Sequence, residues 1–154
     1  KYSPTEFWVG AKYYQGTRSP NNAEREDIGY SSAWLHHKGR NKHHYEYWID
    51  YSMQALPGGM APVPMPDKYI AEMIMDRIAA SKVYMGGEYT DRSPLDYYYQ
   101  GTDRAPIHPE TKTKLLYVLE MLAEEGEEKT FRFIKEELVQ HKRCMDWHQL
   151  EKAE

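Results

Sequence analysis

Two histidine pairs, His36-His37 and His43-His44, bracket the basic turn Lys38-Gly39-Arg40-Asn41-Lys42. Four of the seven histidines therefore fall within nine positions, a density found nowhere else in the chain. Imidazole is the commonest metal ligand, and its unperturbed pKa lies near neutrality. The interleaved Lys38, Arg40 and Lys42 give the same segment the means to hold an anion. A set of solvated surface histidines is the plain alternative, and the residues alone leave both readings open. The spacing is not that of a zinc finger. Cys144 is the single cysteine, so a multi-thiolate zinc site is excluded.

A carboxylate partner for these histidines is offered by Asp76, which sits among Met73, Ile74, Met75 and Ile78. A carboxylate buried in so apolar a stretch is costly unless it is paired or ligates a metal. On the solvent face it would instead pair with Arg77 or a nearby lysine, and the pattern does not decide between these. Glu72 lies four residues earlier and shares the helical face of Asp76. Histidines and a carboxylate from separate helices form an oxygen and nitrogen site suited to a divalent transition metal, here Zn, Mn, Fe, Ni or Co. Such an ion lowers the pKa of bound water and makes hydroxide near neutral pH. The expected ligands are His36 or His37, one of His43 and His44, and Asp76. Glu72 would orient a histidine or face the same cleft, and Lys38 and Arg40 would neutralise a phosphate. Those two cations also read as an ordinary solvated turn. Together the set suggests metal-assisted hydrolysis of a phosphate ester, with a small phosphorylated molecule as the partner.

Other chemistries have less support. Neither GxGxxG nor GxxxxGK[ST] occurs, so no glycine-rich phosphate loop is present. GxSxG is also absent, and Cys144 beside Arg143 has no motif around it. The net charge of −4 is spread in both signs along the chain, without the basic stripe of a nucleic-acid binder. No apolar run approaches the roughly eighteen residues of a membrane span. One cysteine argues against a disulfide framework and fits a reducing cytoplasm. The 14 tyrosines and 4 tryptophans suit half-buried walls and clefts, although plain surface packing explains most of them as well.

The elements that must position these residues read as helices. Ser3-Pro4-Thr5-Glu6 combines a cap, a first-turn proline and a capping box, which predicts a helix to about Gln15, with Phe7, Ala11 and Tyr14 along one face. A second helix is expected from Ala23 to His37, stopped by Gly39, with Ile28, Ala33, Trp34 and Leu35 as its apolar positions. Asn41 is expected to cap a short helix through Asp50. Residues 55–66 hold four of the nine prolines with Gly58 and Gly59, and read as a loop, either lid or connector. A helix follows from Pro66 to Met85, with an apolar face of Tyr69, Met73, Ile74, Ile78 and Val83 and a stop at Gly86-Gly87. Further helices are expected at Pro94–Gln100, Pro109–Leu122 and Glu128–Trp147. With no strand alternation and no internal repeat, the expectation is an all-α fold in a single domain of 154 residues.

Three stretches carry a family resemblance: Lys1-Tyr2-Ser3-Pro4-Thr5-Glu6-Phe7, the run from Trp34 to Trp48, and Ile107-His108-Pro109-Glu110-Thr111. They closely resemble DUF5662, a family of small bacterial and phage proteins of unknown function. In that family a His-Asp pair lies just before the first stretch, with another histidine further upstream. The ordered set of His, His-Asp, histidine pairs and Asp is similar to the metal-ligand order of HD-domain phosphohydrolases. The resemblance therefore implies an HD-domain-like bundle of about five to seven helices, with Asp76 as its final ligand. It also implies a helix before Lys1, since this chain begins after the expected His-Asp pair. Two functions follow as expectations: an HD-like metal-dependent phosphohydrolase acting on a nucleotide or small phosphate ester, or a non-catalytic helical binding module whose histidines are polar wall residues.

Overall fold

The computed structural model describes residues 3–16, 18–53, 59–142 and Trp147. Seven α-helices and one two-stranded hairpin make up the regular structure of these residues, so the fold is mostly all-α as expected. The chain divides into two compact units, Lys1–Tyr47 and Trp48–Glu154.

The first unit holds α1 (Pro4–Tyr13), α2 (Pro20–Ile28) and α3 (Ser32–Arg40), with α1 packed on both of the others. The capping box of α1 forms as the sequence predicts: the Glu6 N–H donates to Ser3 Oγ at 3.3 Å, and the Ser3 N–H donates to Glu6 Oε2 at 2.6 Å. The single helix expected over residues 23–37 is instead two. Gly29 closes α2 in the left-handed region at φ 84°, a conformation that costs any residue with a Cβ. Ser31 then caps α3, accepting from the Trp34 N–H at 3.1 Å. The buried Glu24 fastens the break, accepting from the hydroxyls of Ser31 at 2.7 Å and Ser32 at 2.6 Å. Burial pushes the Glu24 carboxyl up, but these hydrogen bonds outweigh it and hold the carboxyl below its ordinary value.

Gly39 was expected to stop this helix, yet it lies inside α3. The last turn continues because Asn41 closes it, its N–H and its side-chain Nδ2 both donating to the His37 carbonyl, at 3.1 and 2.7 Å. The apolar face expected on α1 is not buried, with Phe7 62 % exposed. Ile28 and Leu35 are exposed as well. What this unit buries among its described residues is Ala23 and Ala33 together with Glu6, Glu24, Ser31 and His43. Its interior is therefore a hydrogen-bonded polar network more than an apolar core.

From Asn41 onward the chain departs from the expected pattern. No strand was expected, and Asn41 was to start a helix through Asp50. The chain instead turns after Asn41, makes a 3₁₀ turn over Tyr45–Trp48, and enters β1 (Ile49–Tyr51). This strand pairs antiparallel with β2 (Met60–Pro62) in the register Ile49↔Pro62, Asp50↔Ala61 and Tyr51↔Met60. Strands this short give no readable alternation, and pairing with a distant segment overrides local preference. The expected loop 55–66 thus contains a strand. Its first residues, 55–58, lie outside the described residues.

α4 (Asp67–Met85), α5 (Ser93–Tyr99), α6 (Pro109–Glu125) and α7 (Glu127–Phe133) follow close to their expected places. Leu115, Val118, Leu119 and Leu122 of α6 are all 0 % exposed, Ile70, Ile74 and Ile78 of α4 are buried, and the two helices pack together in the core. Both sets recur at the three- and four-residue spacing of one helix face. Val83, expected on that face, is 76 % exposed, and Ile70 is buried in its place. The last expected helix, 128–147, is also different. Its α-helical part is short, and a π-helical segment over Ile134–Val139 continues it to Gln140, whose N–H donates to the Lys135 carbonyl at 3.0 Å. Residues 143–146, including Cys144, lie outside the described residues. Among the described residues no helix is long and apolar enough to cross a membrane.

Candidate metal centre

α3 and the turn that follows it bring three of the four clustered histidines together. One ring nitrogen from each of His37, His43 and His44 lies within 4.8 Å of the others. Ring centroids are 4.3 Å apart for His43 and His44, 4.8 Å for His37 and His44, and 5.9 Å for His37 and His43. The reason is local. Asn41 ends α3, and the His44 N–H bonds back to the Asn41 carbonyl at 3.2 Å, so the second pair folds under the last turn of the helix. His43 is buried, and the Nε2 atoms of His43 and His44 are both shielded from solvent. Trp34, one turn before His37, stacks on His37 at 5.9 Å and meets His44 edge-on at 4.8 Å. It forms an aromatic wall for the cluster.

His36 does not join this group. Consecutive helical residues point about 100° apart, and His36 is exposed while His37 faces inward. Lys38 is half-buried, and Arg40 reaches toward Glu6. Asp76 and Glu72 are both exposed on α4, in the second unit, and neither belongs to a metal-sized ligand group among the described residues.

Glu6, which reads in the sequence only as a helix cap, joins the cluster. Its side chain is 4 % exposed. Oε1 lies 3.2 Å from His37 Nδ1 and accepts from Arg40 Nε at 3.3 Å, while Oε2 accepts from Arg40 Nη2 at 2.8 Å. Burial pushes this carboxyl up, but the Arg40 guanidinium, the Ser3 N–H and His37 outweigh it and hold it at about 2. Glu6 is therefore ionised, and an ionised carboxylate only accepts. The capping-box spacing was the one sequence signal at this position. Its other contacts span 31 and 34 residues and leave no local trace.

The donor set fits a transition ion. Two nitrogens bound to one tetrahedral ion at about 2.0–2.1 Å lie about 3.3 Å apart, so three nitrogens already within 4.8 Å need only small side-chain rotations to converge. Three imidazoles are also a ligand set that leaves an open position for water or substrate.

Comparison with known proteins gives one match. The model of a family described as "Family of unknown function (DUF5662)" matches residues 1–121 and so includes the whole cluster. No curated protein and no solved structure matches the chain.

Proposed function

The chain belongs to the DUF5662 family, and because that family's description assigns no activity, we propose a function from the histidine centre itself: a metal-dependent phosphohydrolase acting on a nucleotide or other small phosphate ester. The carrying observation is the convergence of His37, His43 and His44 within 4.8 Å. A divalent transition ion held there supplies Lewis acidity and a water of lowered pKa. His37, His43 and His44 bind the ion, with Trp34 excluding solvent from one side. Lys38, next to His37 on α3, supplies positive charge for a phosphate. Arg40 contributes charge less directly, since its guanidinium already serves Glu6. The order of histidine pairs followed by Asp76 in the sequence supports a relation to HD-type hydrolases, but Glu72 and Asp76 are exposed on α4 and belong to no ligand group among the described residues. The three-histidine centre stands without them.

One observation favours a second reading, a helical binding module without turnover. Arg40, half of the proposed phosphate-binding pair, is committed to a buried carboxylate.

Full-length protein purified without chelator tests the first reading. It should carry near-stoichiometric Zn, Mn, Fe, Ni or Co. It should also hydrolyse members of a panel of nucleotides and phosphomonoesters with added Mn, Ni or Co, and His43→Ala should remove both properties. Metal content near zero that titration does not restore would sink the proposal. Metal binding without turnover of any substrate would leave the binding module.

A further inference from the structure

We infer that Glu6 is the positioning residue of the histidine centre: one carboxylate closes the first turn of α1 and fixes the tautomer and orientation of His37. This inference rests on the three-histidine reading above and deepens it. The carboxylate divides its two oxygens between the two tasks. Oε2 takes the Ser3 N–H at 2.6 Å and Arg40 Nη2 at 2.8 Å, while Oε1 faces His37 Nδ1 at 3.2 Å. Both carboxylate oxygens already accept, from the Ser3 N–H and from the Arg40 guanidinium, so the partner facing Oε1 is a donor: Nδ1 carries the hydrogen. Asn41 Nδ2 also lies 3.2 Å from Nδ1, but it donates to the His37 carbonyl at 2.7 Å and does not need the ring as an acceptor. In the neutral ring the lone pair then sits on Nε2, the nitrogen left to bind an ion.

A histidine ligand that donates its other N–H to a carboxylate is held in one orientation and becomes a stronger base. Here the carboxylate is unusually well fixed. Ser3 holds it from α1, and Arg40 holds it from α3. Arg40 lies three residues after His37, so the two share a helix face and Glu6 grips both. The helix cap and the metal centre are thereby one hydrogen-bonded unit.

The test titrates Co(II) and Zn(II) into the full chain and its Glu6→Ala, Glu6→Gln and Ser3→Ala variants, reading affinity and the visible spectrum of the Co(II) form. Urea unfolding of each metal-free chain gives stability separately. Ser3→Ala loses cap stability but keeps the backbone N–H to Glu6, so its Co(II) affinity and spectrum should match the parent. Glu6→Ala should weaken affinity by roughly 10–100-fold and shift the spectrum. Glu6→Gln keeps an acceptor for Nδ1–H and should recover much of the affinity. If Glu6→Ala does not fold, Glu6→Asp, which shortens the reach, should show weakened affinity in its place. A parent that binds Co(II) together with Glu6 variants of equal affinity and unchanged spectrum overturns the positioning role and leaves the centre intact. A parent that binds neither metal overturns the centre and this inference together.

Discussion

Arg40 Nη2 donates to Glu6 Oε2 at 2.8 Å across 34 residues of sequence. The cation that the sequence offers for a phosphate is thus the counter-ion of a buried carboxylate. That carboxylate also touches His37, so α1, α3 and the histidine cluster share one charged group.

Acid stability should report on this group. The Glu6 carboxyl titrates at about 2 in the folded chain against an ordinary 4.5. A depressed folded value stabilises above the unfolded one, and the contribution disappears as pH falls from about 4.5 toward 2. Urea unfolding followed from about pH 6 to about pH 2 should show a drop that is shallower in Glu6→Gln. Parallel profiles for the two chains would contradict the assignment.

The four histidines should not be equivalent. His43 is buried in the cluster and His36 is exposed outside it. His43→Ala should weaken Zn(II) or Co(II) binding far more than His36→Ala, as measured by isothermal titration. Equal losses would mean that the ion sits elsewhere on the segment.

Gly29 should resist substitution for a conformational reason alone. It holds φ 84°, and a Cβ built there meets nothing within 4 Å. Gly29→Ala should therefore destabilise by about 1 kcal/mol through the left-handed backbone, without a steric clash. Thermal unfolding that matches the parent would show that the break between α2 and α3 shifts easily.

Leu119 is 0 % exposed on the inner face of α6. Leu119→Ala should cost about 2–5 kcal/mol, from lost transfer energy and the cavity left behind. Circular dichroism in urea measures this directly. A loss below about 1 kcal/mol would mean that the α4–α6 interior collapses to fill the space.

Lys114 is 5 % exposed and donates to both Asp67 and Glu110 at 2.7 Å. Burial alone would lower its pKa, but the two carboxylates outweigh that and raise it. Lys114→Met leaves both carboxylates without their shared cation. It should cost roughly 3 kcal/mol, the low end for a broken buried pair because Glu110 keeps some solvent. Stability equal to the parent in chemical denaturation would show that the methionine packs as well as the ion pair.

The sequence by itself determined what depends on near neighbours. Ser3, Pro4 and Glu6 predict the start of α1 because a capping box closes within four residues. The spacing of Met73, Ile74 and Ile78 predicts the buried face of α4 because that periodicity is a property of the helix itself. The four histidines were visible as a cluster for the same reason. What only the tertiary structure decided depends on contacts across the chain. The break at Gly29 needs Glu24 to fold back onto Ser31 and Ser32. The hairpin needs Met60–Pro62 to pair with Ile49–Tyr51. Which histidines converge depends on the turn after α3, which buries His43, and on which face of α3 turns inward, which leaves His36 exposed. Glu6 reads in the sequence as a cap, and it becomes part of the candidate centre only when α1 packs on α3. A carboxylate's partners at 31 and 34 residues' distance are set by packing, and local pattern carries no record of them.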